Sequence, residues 1–196
     1  MVAPGDFVIC ADGGSNHAIS LGIKPNLIVG DMDSVDPVVL DQLKTQGAEI
    51  RKYPRDKDSS DLELALQAAI ELAPSEIFCL SVLGRRQDHS LTNTFLIGRY
   101  ASFGGKISLM GSTWQAQFVT KEQSCAFSGS PGDIFSIIPM VATVSGVTVD
   151  GVKWPLVNET LPWGSSRTVS NEFLFGRASV SLTAGLLLAF HYRADV

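Results

Sequence analysis

The chain has 196 residues, enough for one large domain or two small ones with a real core, and its 45% hydrophobic and 18% charged residues are ordinary for a soluble globular protein. A formal net charge of -5 argues against a nucleic-acid or anionic-membrane partner, because such binding is driven by clustered Lys and Arg. A small anionic ligand remains possible, met by a metal ion and by local cations such as Lys57, Arg85 and Arg86.

The opening MVAPGDFVIC has neither a basic segment nor a long apolar stretch, so it does not read as a secretory signal. The apolar run Gly185 to Phe190 is too short to span a bilayer. Cys10, Cys79 and Cys125 are odd in number and widely spaced in strand-like runs, which points to reduced core residues in a reducing compartment. The expected location is the cytoplasm.

Phe7 to Ala11 reads as the first strand and stops at ADGGSN. A helix from Ser15 to Leu21 closes at Gly22, and a second strand, Leu27 to Val29, runs into GDMDSVDP. Asp36 is placed to cap a helix from Pro37 to Gln46, with Pro in its first turn and Gly47 past its end. Glu49 to Tyr53 is the third strand. DKDSSD then leads into a helix from Asp61 to Leu72, capped by Ser59 or Ser60, striped with Leu62, Ala65, Leu66 and Ala69, and stopped by Pro74. Ile77 to Val82, the segment LGRRQDHS, a helix from His89 to Tyr100 and a strand from Ile107 to Met110 complete the series.

This alternation predicts an α/β domain over residues 1–112, a Rossmann-like three-layer arrangement with a parallel sheet and crossover helices. Beyond Gly111 the helical stripes vanish, and Ile134 to Ile138, Ala142 to Val149, Arg177 to Leu182 and Leu186 to Tyr192 read as short strands between Gly and Pro. Residues 113–196 are therefore expected to form an all-β sandwich or barrel. The first 112 residues hold 14 acidic against 10 basic side chains, and the remainder 6 against 5, so the acidic excess lies in the α/β half.

Four acidic segments end apolar runs within the first 61 residues, which delivers several carboxylates to one sheet edge. Carboxylates held close repel one another, and a cation, usually Mg2+ bridging to substrate phosphates, is the usual compensation. Asp31 and Asp33 stand two apart after a strand, on one side of an extended stretch, and Gly30 admits a ligand to the backbone. The alternative is a polar turn leading to the Asp36 cap. Asp12 with Gly13 and Gly14 offers a carboxylate and backbone N–H groups to phosphate, or forms a plain tight turn. Asp58 and Asp61 are favoured at a helix start by capping alone. Arg86 brings a guanidinium to a helix N-terminus beside Asp88 and His89, the last of these more often a scaffold than a general base. Trp154, between Lys153 and Pro155, is either core or an exposed stacking face for a cationic ring. SNEF, from Ser170 to Phe173, passes as a turn.

Taken in order, ADGGSN, GIKPNLIVGDMDS, DKDSSDLELAL, LGRRQDH, GVKWPL and TVSNEF resemble the thiamine pyrophosphokinase (thiamine diphosphokinase) family over nearly the whole chain. The resemblance implies an ATP- and metal-binding catalytic α/β domain and a thiamine-binding, dimerising β-sandwich. It also implies transfer of a pyrophosphoryl group from ATP to the thiamine hydroxyl, giving thiamine diphosphate and AMP, in a homodimer whose thiamine site is shared between subunits. By motif, Asp31, Asp33 and Asp61 correspond to the Mg2+ ligands and, with Arg86, to the catalytic set. Asp12, Gly13, Lys57, Ser60 and Arg86 correspond to the ATP site, and Asp88, Trp154, Ser170 and Asn171 to the thiamine site. Arg85 stands where the family often has Gly, and Asp150 where it has a small hydroxyl residue. A further strand and loop is expected ahead of ADGG, where this sequence has ten residues before Ala11. A pyrophosphokinase with a pterin-like acceptor and a non-catalytic thiamine- or nucleotide-binding sensor are the rival expectations.

Overall fold

The computed structural model describes residues 2–84 and 86–194, so Arg85 lies outside the described residues. By its contacts the chain divides into two compact units, one running to Pro74 and the other starting at Ser75.

In the first unit, β1 (Ile9–Ala11), β2 (Leu27–Gly30) and β3 (Glu49–Lys52) form a parallel sheet in the order β1-β2-β3. β2, in the middle, is buried along its whole length, which is why it reads as the unbroken apolar run LIVG. Its alternation sorts side chains to two faces. Ile28 joins Cys10, Ala18 and Leu43, the latter two from α1 (Gly14–Ser20) and α2 (Pro37–Thr45). Leu27 and Val29 join Ala68 of α3 (Asp61–Glu71). The helix starts follow their caps: Asp36 Oδ1 accepts from the Val38 amide at 2.8 Å, and Ser60, rather than Ser59, accepts from the Glu63 amide at 3.2 Å.

The second unit opens with β4 (Ile77–Leu80), α4 (Gln87–Ala101) and β5 (Ile107–Met110). Eight strands follow: β6 (Trp114–Val119), β7 (Cys125–Ser128), β8 (Ile134–Pro139), β9 (Thr143–Asp150), β10 (Leu156–Pro162), β11 (Asn171–Glu172), β12 (Arg177–Ser181) and β13 (Leu187–Tyr192). Among the described residues they build a six-stranded sheet, β11-β8-β13-β6-β5-β4, and a four-stranded sheet, β10-β9-β12-β7. Side chains of both sheets, including Phe127, Phe135, Val147, Leu161, Val180 and Leu187, share one buried cluster.

The repeating strand–helix pattern groups β4 and β5 with the parallel strands before them. They do pair in parallel with each other, but β5 then pairs antiparallel with β6, so both belong to the sheet of the β-rich part. Only three residues separate β5 from β6, a length that forces a hairpin. Periodicity does not report which neighbour a strand chooses. The strands β6, β7, β10 and β11 escape the sequence pattern because they carry polar residues on an outer face, and β10 also breaks register twice against β9. Gly151 follows β9 at φ +80, and a Cβ there would lie 2.1 Å from the Arg177 carbonyl oxygen, so only glycine lets the chain turn against β12.

All three cysteines are buried and unpaired, and burial pushes the Cys79 and Cys125 thiols up to about 12. Among the described residues no helix is long and apolar enough to cross a membrane.

Among the described residues of the β-rich unit, one carboxylate is buried. Asp133 is 6% exposed; its Oδ2 sits 2.7 Å from His191 Nε2 and accepts the Ser130 amide, while Oδ1 accepts the Ala194 amide. Burial raises this carboxyl, and the two amides and His191 more than reverse that effect, holding it below the usual carboxylate range. A depressed folded pKa contributes stability that is complete above the unfolded value, about 3.9, and is lost as pH falls through the folded value. Asp133→Asn is therefore expected to melt about 5 °C or more below the wild type at pH 7. The gap should narrow below about pH 4 in a series of thermal melts.

Candidate functional site

The carboxylates gather where the parallel strands end. Asp12 follows β1 and is 7% exposed, with φ +39, and its amide continues the ladder to the Val29 carbonyl at 2.8 Å. Asp31 and Asp33 follow β2 on either side of Met32, which has φ +67. One oxygen from each of Asp12, Asp31 and Asp33 lies within 4.8 Å of the others. Asp12 and Met32 thus both hold the left-handed backbone region beside this cluster of like charges, a conformation that is unfavourable for Met above all.

Gly30 makes the approach possible. At φ +149 its missing Cβ would sit 2.9 Å from Asp12 Cβ and 3.0 Å from Asp61 Oδ1, so two acidic side chains occupy the space a larger residue needs. The loop is then stitched down. The Asp33 amide donates to Asp31 Oδ1 at 3.0 Å, and Ser34 Oγ donates to Asp33 Oδ1 at 2.9 Å. That amide, followed by the charges of Lys57 and Arg55, holds the Asp31 carboxyl below its ordinary value despite burial. Asn16 of α1 donates to the Ser34 carbonyl at 2.9 Å and accepts the Asp36 amide at 3.1 Å, so one side chain fastens both ends of the turn after Asp33. Within ADGGSN no motif role falls on Asn16, and its place four residues beyond Asp12 is the local signal for this fastening.

Asp61 opens α3 and its Oδ1 is 3.1 Å from Lys57 Nζ, while Asp31 Oδ2 is 3.9 Å from the same ammonium. Lys57 is itself well buried, its side chain 15% exposed, and donates to the Pro54 carbonyl at 3.2 Å. Asp61 Oδ1 and Asp12 Oδ1 are buried without a hydrogen-bond partner among the described residues; for Asp61 the ammonium is within ion-pair reach but not aligned as a donor. Asp12 thus carries a buried oxygen without a hydrogen-bond partner in a residue that also joins the carboxylate cluster, a costly arrangement that a cation would relieve. The three oxygens suit a hard cation that prefers oxygen ligands. The family resemblance assigns Asp31, Asp33 and Asp61 to the metal; the carboxylates whose oxygens lie within 4.8 Å of one another are Asp12, Asp31 and Asp33, with Asp61 paired to Lys57 beside Gly30. Gly13 is the N-cap residue of α1, and the Ser60 hydroxyl is used as the cap of α3.

In the second unit, Arg86 stands at the N-cap of α4 and makes a two-pronged pair with Asp88, Nη2 to Oδ2 at 2.5 Å and Nε to Oδ1 at 3.2 Å. That hydrogen bond, with the His89 amide, lowers Asp88 to about 2. Both side chains are mostly exposed, so the pair is free to exchange partners. Ser90 fastens the preceding loop by bonding both the amide and the carbonyl of Gly84.

Trp154 is 55% exposed and is therefore no core residue. Asn171 in β11 clamps it: the Trp154 amide donates to Asn171 Oδ1 at 3.1 Å, and Asn171 Nδ2 donates to the Trp154 carbonyl at 2.8 Å. Ser170, at φ +62, donates its amide to Ser136 Oγ at 2.9 Å. SNEF is thus a short strand-forming clamp rather than a plain turn. A cavity of about 430 Å³, within the range of small-molecule sites, opens beside the indole, lined by Trp154, Lys153, Asn171, Phe135, Leu156 and Arg167 among others.

Comparison with known proteins gives these clusters a context. Residues 2–109 match the family described as thiamin pyrophosphokinase, catalytic domain, and residues 119–187 match thiamin pyrophosphokinase, vitamin B1 binding domain. The chain is 28% identical over 180 residues to the thiamine pyrophosphokinase of Bacillus subtilis (strain 168), covering 92% of this chain and 84% of that one. It is 27% identical over 187 residues to thiamine pyrophosphokinase 1 of Oryza sativa subsp. japonica, covering 83% and 70%. Its fold superposes on the crystal structure of thiamine pyrophosphokinase from Bacillus subtilis with a TM-score of 0.87 at 25% identity, covering 100% of this chain and 91% of that one. A thiamin pyrophosphokinase family protein from Enterococcus faecalis gives 0.84 at 25% identity, covering 100% and 93%. With the catalytic model spanning more than half of the chain and the B1-binding model following it in order, the chain belongs to the thiamin pyrophosphokinase family.

Proposed function

We propose that the protein is a thiamine diphosphokinase: it transfers a pyrophosphoryl group from ATP to the hydroxyl of thiamine, releasing thiamine diphosphate and AMP in the cytoplasm. The observation that carries this reading is the uncompensated buried oxygen of Asp12 within the Asp12, Asp31 and Asp33 cluster, in a chain of this family. We assign the catalytic role to residues 1–112, as a Rossmann-like three-layer domain, and thiamine binding and dimerisation to residues 113–196. The family bounds of 2–109 and 119–187 support that division, although the compact units part earlier, after Pro74.

Asp31, Asp33 and Asp61 are the residues that would hold Mg2+, with Asp12, whose oxygen lies within 4.8 Å of those of Asp31 and Asp33, beside them. When bound, the metal supplies charge neutralisation across the triphosphate. The reaction asks the protein for positioning and electrostatics rather than covalent chemistry. Lys57, fixed by Asp31 and Asp61, and Arg86, released from Asp88, are the cations assigned to the phosphates, with Gly13 and Ser60 at the flanking helix starts. The thiamine oxygen bonds to the β-phosphorus as the link to the α-phosphate breaks, and AMP leaves. Asp88, ionised throughout the working pH range, together with Ser170 and Asn171, forms the assigned thiamine surroundings. Trp154 offers its face to the thiazolium, a permanent cation. A pterin-like acceptor lacks the charge that this face favours, and a mere sensor has no use for the crowded carboxylates.

An assay coupled to AMP release is expected to show turnover with ATP, Mg2+ and thiamine. Asp31→Asn or Asp33→Asn should lower kcat by about 100-fold or more without loss of fold. Activity within about tenfold of wild type, with unchanged Mg2+ dependence, overturns the metal assignment.

Trp154→Ala is expected to weaken thiamine by about 30-fold, the loss of roughly 2 kcal/mol from a desolvated cation–π contact, and to leave ATP affinity and the melting temperature nearly unchanged. Trp154→Phe should recover part of the loss. Calorimetric titration of both ligands decides it, and equal losses for the two ligands count against the acceptor site.

We further propose a homodimer with the thiamine site shared between subunits. Sedimentation at micromolar concentration should give the mass of two chains; a monomer that still turns over thiamine overturns the shared site.

A further inference from the structure

The face of Trp154 is not empty. Lys153 Nζ lies 4.8 Å from the centroid of its neighbour's indole, and the same ammonium is 3.2 Å and 3.5 Å from the two carboxylate oxygens of Glu172. The backbone enforces this meeting, since the Lys153 amide donates to the Glu172 carbonyl at 2.9 Å while Asn171 holds both backbone groups of Trp154. An aromatic face and a carboxylate thus converge on one point in space, and the chain's own ammonium already occupies it.

We propose that Lys153 is an internal occupant of the cation site formed by Trp154 and Glu172, and that a ligand's cationic ring binds there by displacing it. This deepens the thiamine reading and rests on it for the identity of the ligand. The displacement is easy: the Lys153 and Glu172 side chains are 47% and 40% exposed, and an exposed ion pair and an exposed cation–π contact are both weak. The freed ammonium swings into water on a flexible stem. A delocalised planar cation is less strongly hydrated than an ammonium and covers more of the indole, as guanidinium does relative to lysine.

The exchange also sets specificity. When one cation replaces another, Glu172 remains neutralised throughout. A flat neutral ring that displaces Lys153 strips Glu172 of its partner and puts nothing in its place. Discrimination against neutral rings therefore comes from the unpaired carboxylate they leave, a penalty built into the site rather than a clash.

Two substitutions on the full-length protein test this, read by calorimetric titration with thiamine and with its neutral thiophene isostere. Lys153→Met removes the competitor, so thiamine should bind about three- to tenfold more tightly. Glu172→Gln removes the counter-charge, so the preference for thiamine over the isostere should fall by about two- to fivefold. Lys153→Gln serves as a second variant should the methionine impair folding. Weaker or unchanged thiamine binding in both Lys153 variants makes that residue a ligand contact or a bystander and overturns the proposal. So does an undiminished preference in Glu172→Gln.

Failure of the substrate reading is separately visible. A simple dimethylthiazolium that binds more tightly to Lys153→Met, in a protein that releases no AMP from ATP and thiamine, upholds the displaceable cation site and removes the kinase assignment. Thiamine turnover with no tightening in the Lys153 variants removes the displacement and leaves the kinase.

Discussion

Mutual repulsion among carboxylates is the constraint around which the first unit is arranged. Three oxygens from Asp12, Asp31 and Asp33 within 4.8 Å of one another are unfavourable in a chain that already carries excess negative charge. The surroundings respond at every level. Gly30 removes the side chain that would push Asp12 and Asp61 apart, Asp12 and Met32 accept positive φ angles, and Asn16 fastens the loop from the neighbouring helix. The Asp33 amide and the nearly buried Lys57 supply positive potential, yet Asp12 Oδ1 is left without a partner among the described residues. A fold selected for stability alone replaces such a group. An oxygen so placed is one that a hard cation with oxygen ligands would compensate.

The β-rich unit meets a complementary demand, which is to display an aromatic ring without letting it collapse into the core. Trp154 stays half exposed because its backbone is pinned by the Asn171 amide, and Asn171 is in turn held on β11 against β8. Behind β11, Phe173 is almost fully buried, its ring 6.0 Å from Phe135 and 4.8 Å from the His191 imidazole that bonds Asp133. The strand that clamps the exposed ring thus leads within two residues to a buried aromatic cluster that reaches the Asp133–His191 contact. Rigidity at the surface is inherited from the core, which is how a binding face is held ready without a ligand.

Helix boundaries and caps were legible because they are written locally: Asp36, Pro37, Ser60 and Gly47 each act within a few residues of themselves. The central strand was legible because burial on both faces leaves an unbroken apolar run. Strands with one wet face were harder, as β10 shows, since Asn158, Glu159 and Thr160 lie within it and its register slips twice. The allegiance of β4 and β5 was not legible at all, because sheet membership is a contact between distant segments.

For the site, the sequence by itself determined which chemistry was present. Acidic segments at strand ends, a Gly before Asp31 and a Trp beside a Lys are facts of composition and spacing, and six motifs in order identified the family. Only the tertiary structure decided how the members combine. It set oxygens of Asp12, Asp31 and Asp33 within 4.8 Å of one another, put Asp61 and Asp31 on the same Lys57 ammonium, committed Ser60 to a helix cap, paired Arg86 with Asp88, and laid the Lys153 ammonium over Trp154 against Glu172. Spacing along a chain specifies which side chains share a strand or a helix face, whereas distances between side chains on different elements are set by packing, and charge–charge energies depend on those distances.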